Sequence, residues 1–546
     1  MRIVLTFLCF TIGLLFLGAP THAQSEAIQA RRISAHTRFL ASDLLEGRGV
    51  GVRGGEIATD YIATQLALVG AQPAGDNGTF FQNLQLAGVQ TQDSAEFSVV
   101  RGDARSELRW LTDWVGVSEL QQPETTFEAE AVFVGHGIVA PEFQWNDYKG
   151  VDVKGKVVVL FTNEPGRDNP SVFRGKALMY YGRWAYKYEE ALRQGALGAI
   201  IIHTDDTAGY EWGVVRNSFG REQQMVLRGP GESRLSMTAW ITSSAAVPLI
   251  AATGKSVDEL LLAAESRDFR PIPLGVKIRA SLPSKVRTID TRNVAAIVPG
   301  DDARLSSEVL LFSAHWDHLG MAPSVTEDKI FNGAVDNATG CAIVLEIARA
   351  WAGLSKKPKR SALFVFVTAE ESGLRGSEYY ARHPLVPLSK TMVNLNYDGL
   401  LPGGRTSDMV VNGAERTTLW PVVEDVARRF SLSILPDPAP EQGYYYRSDH
   451  FSLAKGGVPA FSINLGDTYL GKPTGYGKHL EESYRANDYH KPSDEFREDW
   501  DFAGLEHIAR FGFALGLEAA NLTAPASWKP RDEFLAAREK SLKEGN

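Results

Sequence analysis

Residues 309–318 read VLLFSAHWDH, and residues 362–371 read ALFVFVTAEE. Each stretch opens as an apolar run without charge and closes on side chains that titrate or ligate. An uninterrupted apolar run of this length reads as a strand buried on both faces. Two such strands ending in His315, Asp317, Glu370 and Glu371 place the chemistry at strand carboxyl ends, where open α/β sheets gather their ligands.

Working outward, further apolar runs at 293–298, 392–396 and 458–464 alternate with helical patterns at 339–352, 415–430 and 501–520. That alternation predicts an α/β fold with a mainly parallel sheet sandwiched by helices. Residues 26–70 carry helical periodicity, interrupted at Glu46-Gly47-Arg48-Gly49. Residues 127–280 read as a separate, smaller α/β module with buried strands near 157–161 and 199–202, and no cluster of catalytic residue types.

The ends of the later strands repeat one theme. A neutral imidazole such as His315 ligates zinc well, and a carboxylate two residues on can steady it. The pair alone fits an ordinary core or surface histidine better. GAVDNATG (333–340) sits at a loop-to-helix junction. There Asp336 is either a helix cap or a carboxylate with two oxygens to share between cations. Adjacent Glu370 and Glu371 after a buried strand are costly to bring together unless cations lie near. Asp398 closes another strand, and His490 lies in the loop DYHKPSD (488–494). Together these residues can hold two divalent ions: His315 and Asp398 on one, Glu371 and His490 on the other, Asp336 bridging. Nitrogen-and-oxygen ligation suits zinc, so two zinc ions per chain are expected. Glu370 is then free as a general base.

Composition narrows the alternatives. The chain has 546 residues, 44% hydrophobic and 23% charged, with a net charge of −9. A mildly acidic chain without a dense basic run is a poor nucleic-acid binder. Two cysteines, Cys9 and Cys341, exclude a disulfide scaffold and a cysteine-rich zinc module. Arg2, the apolar run 3–18, Pro20 and small residues before Gln24 read as a signal peptide over 1–23. No later stretch is long and apolar enough to span a bilayer. Sequons begin at Asn77, Asn337 and Asn521. One of them falls inside the candidate site and no disulfide is available, so bacterial export is expected, periplasmic or secreted.

The motifs SAHWDHLG (313–320), GAVDNATG (333–340), VTAEESGLRGS (367–377), NLNYDG (394–399), YRSDHFSLAKGGVPAF (446–461) and YHKPSDEF (489–496) resemble those of the M28 zinc metallopeptidases. The resemblance implies the zinc exopeptidase fold with a protease-associated insert at 127–280. Further expected are an N-terminal helical segment at 24–126 packing on the catalytic domain, a catalytic domain at 281–524 and a C-terminal tail at 525–546. The resemblance makes Asp336 the bridging ligand, with a cis peptide to Asn337, and puts Asp317 behind His315. It matches Tyr489 to an oxyanion donor and Arg447 to a substrate contact, for which a loop-holding salt bridge is the alternative. Tyr446, with its neighbours Tyr444 and Tyr445, is a candidate pocket wall, and loop packing explains the aromatic run equally well. His318 and His450 read as scaffold.

The expected function is an exopeptidase, most simply an aminopeptidase acting on peptides with a free N-terminus. The alternatives are a carboxypeptidase or glutaminyl cyclase on the same scaffold, and a receptor-like member without activity, which should have lost ligands.

Overall fold

In the computed structural model of the protein, residues 26–167, 169, 171–227, 229, 231–321 and 328–544 are described. The expected signal peptide lies outside them. Among the described residues, no helix is long and apolar enough to cross a membrane.

The sheet that carries the site is centred on the strand Val309–His315, buried at every position. It pairs in parallel with Ser361–Val367 and with Thr391–Asn396, and the latter pairs in parallel with Ala460–Leu465. Antiparallel strands flank this core: Ile272–Val298 and then Phe81–Thr91 on one side, Asp408–Asn412 on the other. Strands without a polar face need cover on both sides. Helices Gly340–Ala352 and Ala503–Asn521 supply it on one face, His450–Lys455 and Arg375–Arg382 on the other. Close packing fixes their approach. A Cβ on Gly512 would stand 1.7 Å from the Tyr397 hydroxyl, so only glycine lets the last long helix lie against this strand end. The expected α/β class with a helix-covered mixed sheet is the observed one, parallel at its core and antiparallel at its flanks.

The smaller unit has its own sheet, in the order Ala104–Leu108, Glu96–Arg101, Ile272–Val298, Glu124–Phe133, Val157–Phe161, Gly198–His203, Met237–Thr242, Trp114–Val117. The 27-residue strand Ile272–Val298 runs through both sheets and ties the units by continuous backbone. One expected boundary changes. The segment 24–126 holds helices Ala30–Leu40 and Arg53–Leu68, but from Phe81 onward it is mostly strand. Its stretch FQNLQLAGVQT alternates with the period of two that marks a strand. The smaller unit therefore begins near residue 96, not 127.

Residues 525–538 are not a loose tail. Trp528 donates from its indole to Gly457 O at 2.9 Å, and Arg416 pairs with Asp532 and Glu533 at 2.7 Å each. Glu533 also accepts from the Tyr446 hydroxyl at 2.8 Å and from Tyr180 N–H of the smaller unit at 3.0 Å.

Candidate metal centre

His315 is the last residue of the central strand, with its side chain wholly buried. Its Nδ1 lies 3.1 Å from the main-chain carbonyl of Asp317. Donation there assigns the proton to Nδ1 and leaves a lone pair on Nε2. That Nε2 faces Asp336 Oδ1 and Asp398 Oδ1, each at 3.1 Å. His490 repeats the pattern: its Nε2 stands 3.2 Å from Asp336 Oδ2 and 3.0 Å from Glu371 Oε2. Asp336 thus divides its two oxygens between two histidines. It lies in a kinked segment after Gly333, whose φ is +56°. A Cβ on Gly333 would come 2.5 Å from His318 Cγ, so the loop closes this tightly only with glycine. The Asp336–Asn337 peptide is cis.

A nitrogen lone pair facing two carboxylates is repulsive unless the ring is protonated or a cation lies between them. Without a cation the groups respond as like and unlike charges must. His315 is held well above its ordinary value against the pull of burial, by Asp398 and Asp336. His490 is pushed up to about 10, its Glu371 and Asp336 partners outweighing burial. Among the described residues, His315–Asp336–Asp398 and His318–Asp336–Glu371 are groups whose ligating atoms lie within 4.8 Å of one another. The donor set is nitrogen and carboxylate oxygen, which fits zinc.

The two adjacent glutamates differ. Glu371 has both oxygens engaged, Oε1 by His318 Nδ1 at 2.6 Å and Oε2 by His490. Burial raises its pKa, yet the two histidines hold it at about 2. Glu370 is pushed well above its ordinary value, first by burial and then by Asp398 and Glu371. Its amide donates to Asp317 Oδ1 at 3.2 Å. Asp317 therefore serves His315 through its carbonyl, while its carboxylate, 3.9 Å from Nδ1, holds the glutamate turn.

The Tyr489 ring stacks on His490 with centroids 3.9 Å apart and is 43% exposed. Burial and the carboxylates push its phenol up, so it stays protonated as a donor. Arg447 forms no ion pair among the described residues. It donates to Gln442 O and lies over the Tyr444 ring, and its charge adds to burial in lowering Arg183 of the smaller unit to about 10. Tyr446 is corrected: it does not line the site. Its hydroxyl is spent on Glu533, and its ring is buried against Tyr445 and Phe451. His450 is buried against Tyr445 and pushed down to about 3 by burial. His318, read as scaffold, has its Nδ1 2.6 Å from Glu371 Oε1.

Other residues at the site were not singled out from sequence. Asp449 is buried within electrostatic reach of His315 and Asp398, and burial lifts it to about 7. Ser448 donates to Asp398 Oδ2 at 2.5 Å. Asp494 accepts from Val335 and Asp336 amides at 3.0 and 3.2 Å. Arg48, 1% exposed, donates to the carbonyls of Trp316 at 2.8 Å, Asn332 at 2.6 Å and Gly333 at 2.9 Å, and to Leu40. The EGRG signal at 46–49 marked a turn, but nothing local shows that its arginine reaches 285 residues away. Arg48→Ala would leave these buried carbonyls unpaired, so unfolding free energy should drop by about 3 kcal/mol or more. Urea denaturation measures it, and a loss under about 1 kcal/mol would show the carbonyls re-paired.

Residues 293–514 match the family model described as Peptidase family M28. Among curated proteins the chain is similar to the vacuolar membrane protease of Schizophyllum commune, 34% identical over 113 residues, covering 21% of this chain and 11% of that protein. It is also similar to endoplasmic reticulum metallopeptidase 1 of Rattus norvegicus, 29% identical over 176 residues, covering 32% and 18%. The matched stretches thus span less than a fifth of these relatives' length. Among solved structures, the aminopeptidase from Aneurinibacillus sp. strain AM-1 aligns with TM-score 0.47 and 19% identity, covering 94% of this chain and 98% of that one. The expected bacterial location, periplasmic or secreted, is corrected here. The matching curated relatives include several fungal proteins named for the vacuolar membrane.

Proposed function

We propose that this chain, whose residues 293–514 form a domain of peptidase family M28, is a di-zinc exopeptidase acting on peptide N-termini. The observation that carries this reading is the division of Asp336 between His315 and His490, each facing a second carboxylate. His315, Asp336 and Asp398 would hold one ion; Asp336, Glu371 and His490 the other. Zinc bound there supplies Lewis acidity to the scissile carbonyl and to the attacking water.

The rest falls to the chain's own groups. Glu370, engaged by neither histidine, takes the water's proton at its carboxylate and passes it to the leaving amine. Asp317 keeps that turn in place through the Glu370 amide. Glu370 and Asp398 present negative charge to a substrate's free α-amine. Tyr489, exposed beside His490, donates its hydroxyl to the oxyanion that develops in the transition state. Tyr489→Phe should then lower kcat by about 10–10³-fold with KM and metal content little changed. Wild-type kcat in that variant would leave the tyrosine only a packing role.

A second reading has one specific observation in its favour. Arg447 is exposed and forms no ion pair among the described residues, and a guanidinium suits a terminal carboxylate, as a carboxypeptidase requires. Matched short peptides separate the two. An aminopeptidase loses activity when the N-terminus is acetylated and tolerates a C-terminal amide; a carboxypeptidase does the reverse. Failure to cleave any of them with zinc present would sink both.

A further inference from the structure

The turn that carries Glu370 and Glu371 is under backbone strain at both ends. Ala369 has φ +52° and Leu374 φ +64°, in a region that residues with a Cβ seldom occupy. Such conformations persist only where the surroundings over-determine them. Part of what surrounds this turn comes from far away in sequence.

The strand Gln223–Val226 belongs to the excursion between the two halves of the catalytic sheet, and it pairs antiparallel with Phe81–Thr91 at the sheet's edge. Gln224 uses both of its acceptors on the glutamate turn. Its side-chain Oε1 accepts from Ser372 Oγ at 2.9 Å, and its main-chain carbonyl accepts from Arg375 Nε at 2.8 Å. Arg375 Nε also reaches Ser372 O at 3.1 Å and its Nη1 reaches Glu378 at 3.1 Å, so the guanidinium closes the turn on itself. Two residues along the strand, Val226 packs in one cluster with Ala369, Leu84, Leu86 and Ile289. The same short strand thus covers the first strained residue and ties Ser372 and Arg375 near the second. Inside the turn, the Gly373 and Leu374 amides donate to Glu370 O at 2.8 and 2.9 Å, so any loosening at Ser372 or Arg375 passes directly to Glu370.

We infer that the strand Gln223–Val226 is a brace for the general-base turn, with Gln224 as a positioning residue for Glu370. The chain segment between Phe81–Thr91 and Ile272–Val298 thereby supports the chemical step from the edge of the catalytic sheet. The catalytic part of this inference rests on the proposed peptidase reading; the mechanical part does not.

The test uses full-length protein and two readouts. In Gln224→Ala, exchange of the Gly373 and Leu374 amides should speed up by at least about tenfold in protein without metal. With zinc restored, kcat should fall by about 5–20-fold, KM should stay within about twofold, and the acid limb of the pH–rate profile should move. Ser372→Ala, on the other side of the same bond, should reproduce both effects, and the double variant should be no worse than either single one. It also serves if Gln224→Ala fails to fold. Unchanged exchange in the turn, or a rise in KM alone, would overturn the brace. Faster exchange in a protein that cleaves no peptide would uphold the brace and reject the peptidase reading.

Discussion

Replacing Glu370 by glutamine should lower kcat at least about 10²-fold while zinc content stays at the wild-type level. Glutamine keeps the shape and removes the basic oxygen. The metal should stay because Glu370 faces neither histidine nitrogen, whereas Glu371 meets His318 with one oxygen and His490 with the other. Glu371→Gln should therefore lose or weaken metal binding. Elemental analysis and steady-state kinetics on the two variants decide it, and exchanged phenotypes would reverse the assignment within the pair.

Asp336→Ala should be more damaging still. One carboxylate supplies an oxygen to each histidine group, so its removal takes a ligand from both ions at once. Both zinc equivalents should be lost on dialysis, and kcat/KM should fall to about 10⁻³ of wild type or below. Asp398→Ala removes a ligand from one group only and should cost one equivalent. The comparison is clean in folding terms, because the Asp336 amide, not its side chain, makes the contact with Asp494 that holds the loop. Retention of two equivalents in Asp336→Ala would mean that the carboxylate does not bridge.

Much of this site could be read from the sequence because its parts sit at strand ends. Apolar runs announce buried strands, and the residues just past each run, such as His315, Glu370 and Asp398, are carried to one sheet edge by the parallel order. What was illegible lies in side chains whose partners are remote. Arg48 reads as part of a turn, and only the fold shows it bonded to carbonyls around Trp316 and Gly333. Asp449 follows Ser448 in a stretch dense with polar and aromatic residues, where nothing local shows that it is buried beside the ligands. Tyr446 erred in the other direction. An aromatic run suggests a pocket wall, but the hydroxyl of Tyr446 finds Glu533 in the C-terminal segment. The smaller unit was placed too late in the chain because its first strands, Glu96–Arg101 and Ala104–Leu108, are short, partly exposed and charged. A helical reading of the preceding segment was carried over them. Gln224 offers no signal at all, since an edge-strand glutamine is an ordinary surface residue until its neighbours are known.

The most direct test is a zinc titration of the full-length protein stripped of metal, followed by activity and by bound metal at each step. Saturation at about two zinc ions per chain is expected, with one equivalent missing in Asp398→Ala. Saturation at a single ion in the wild type, unchanged by Asp398→Ala, would contradict the bridged pair.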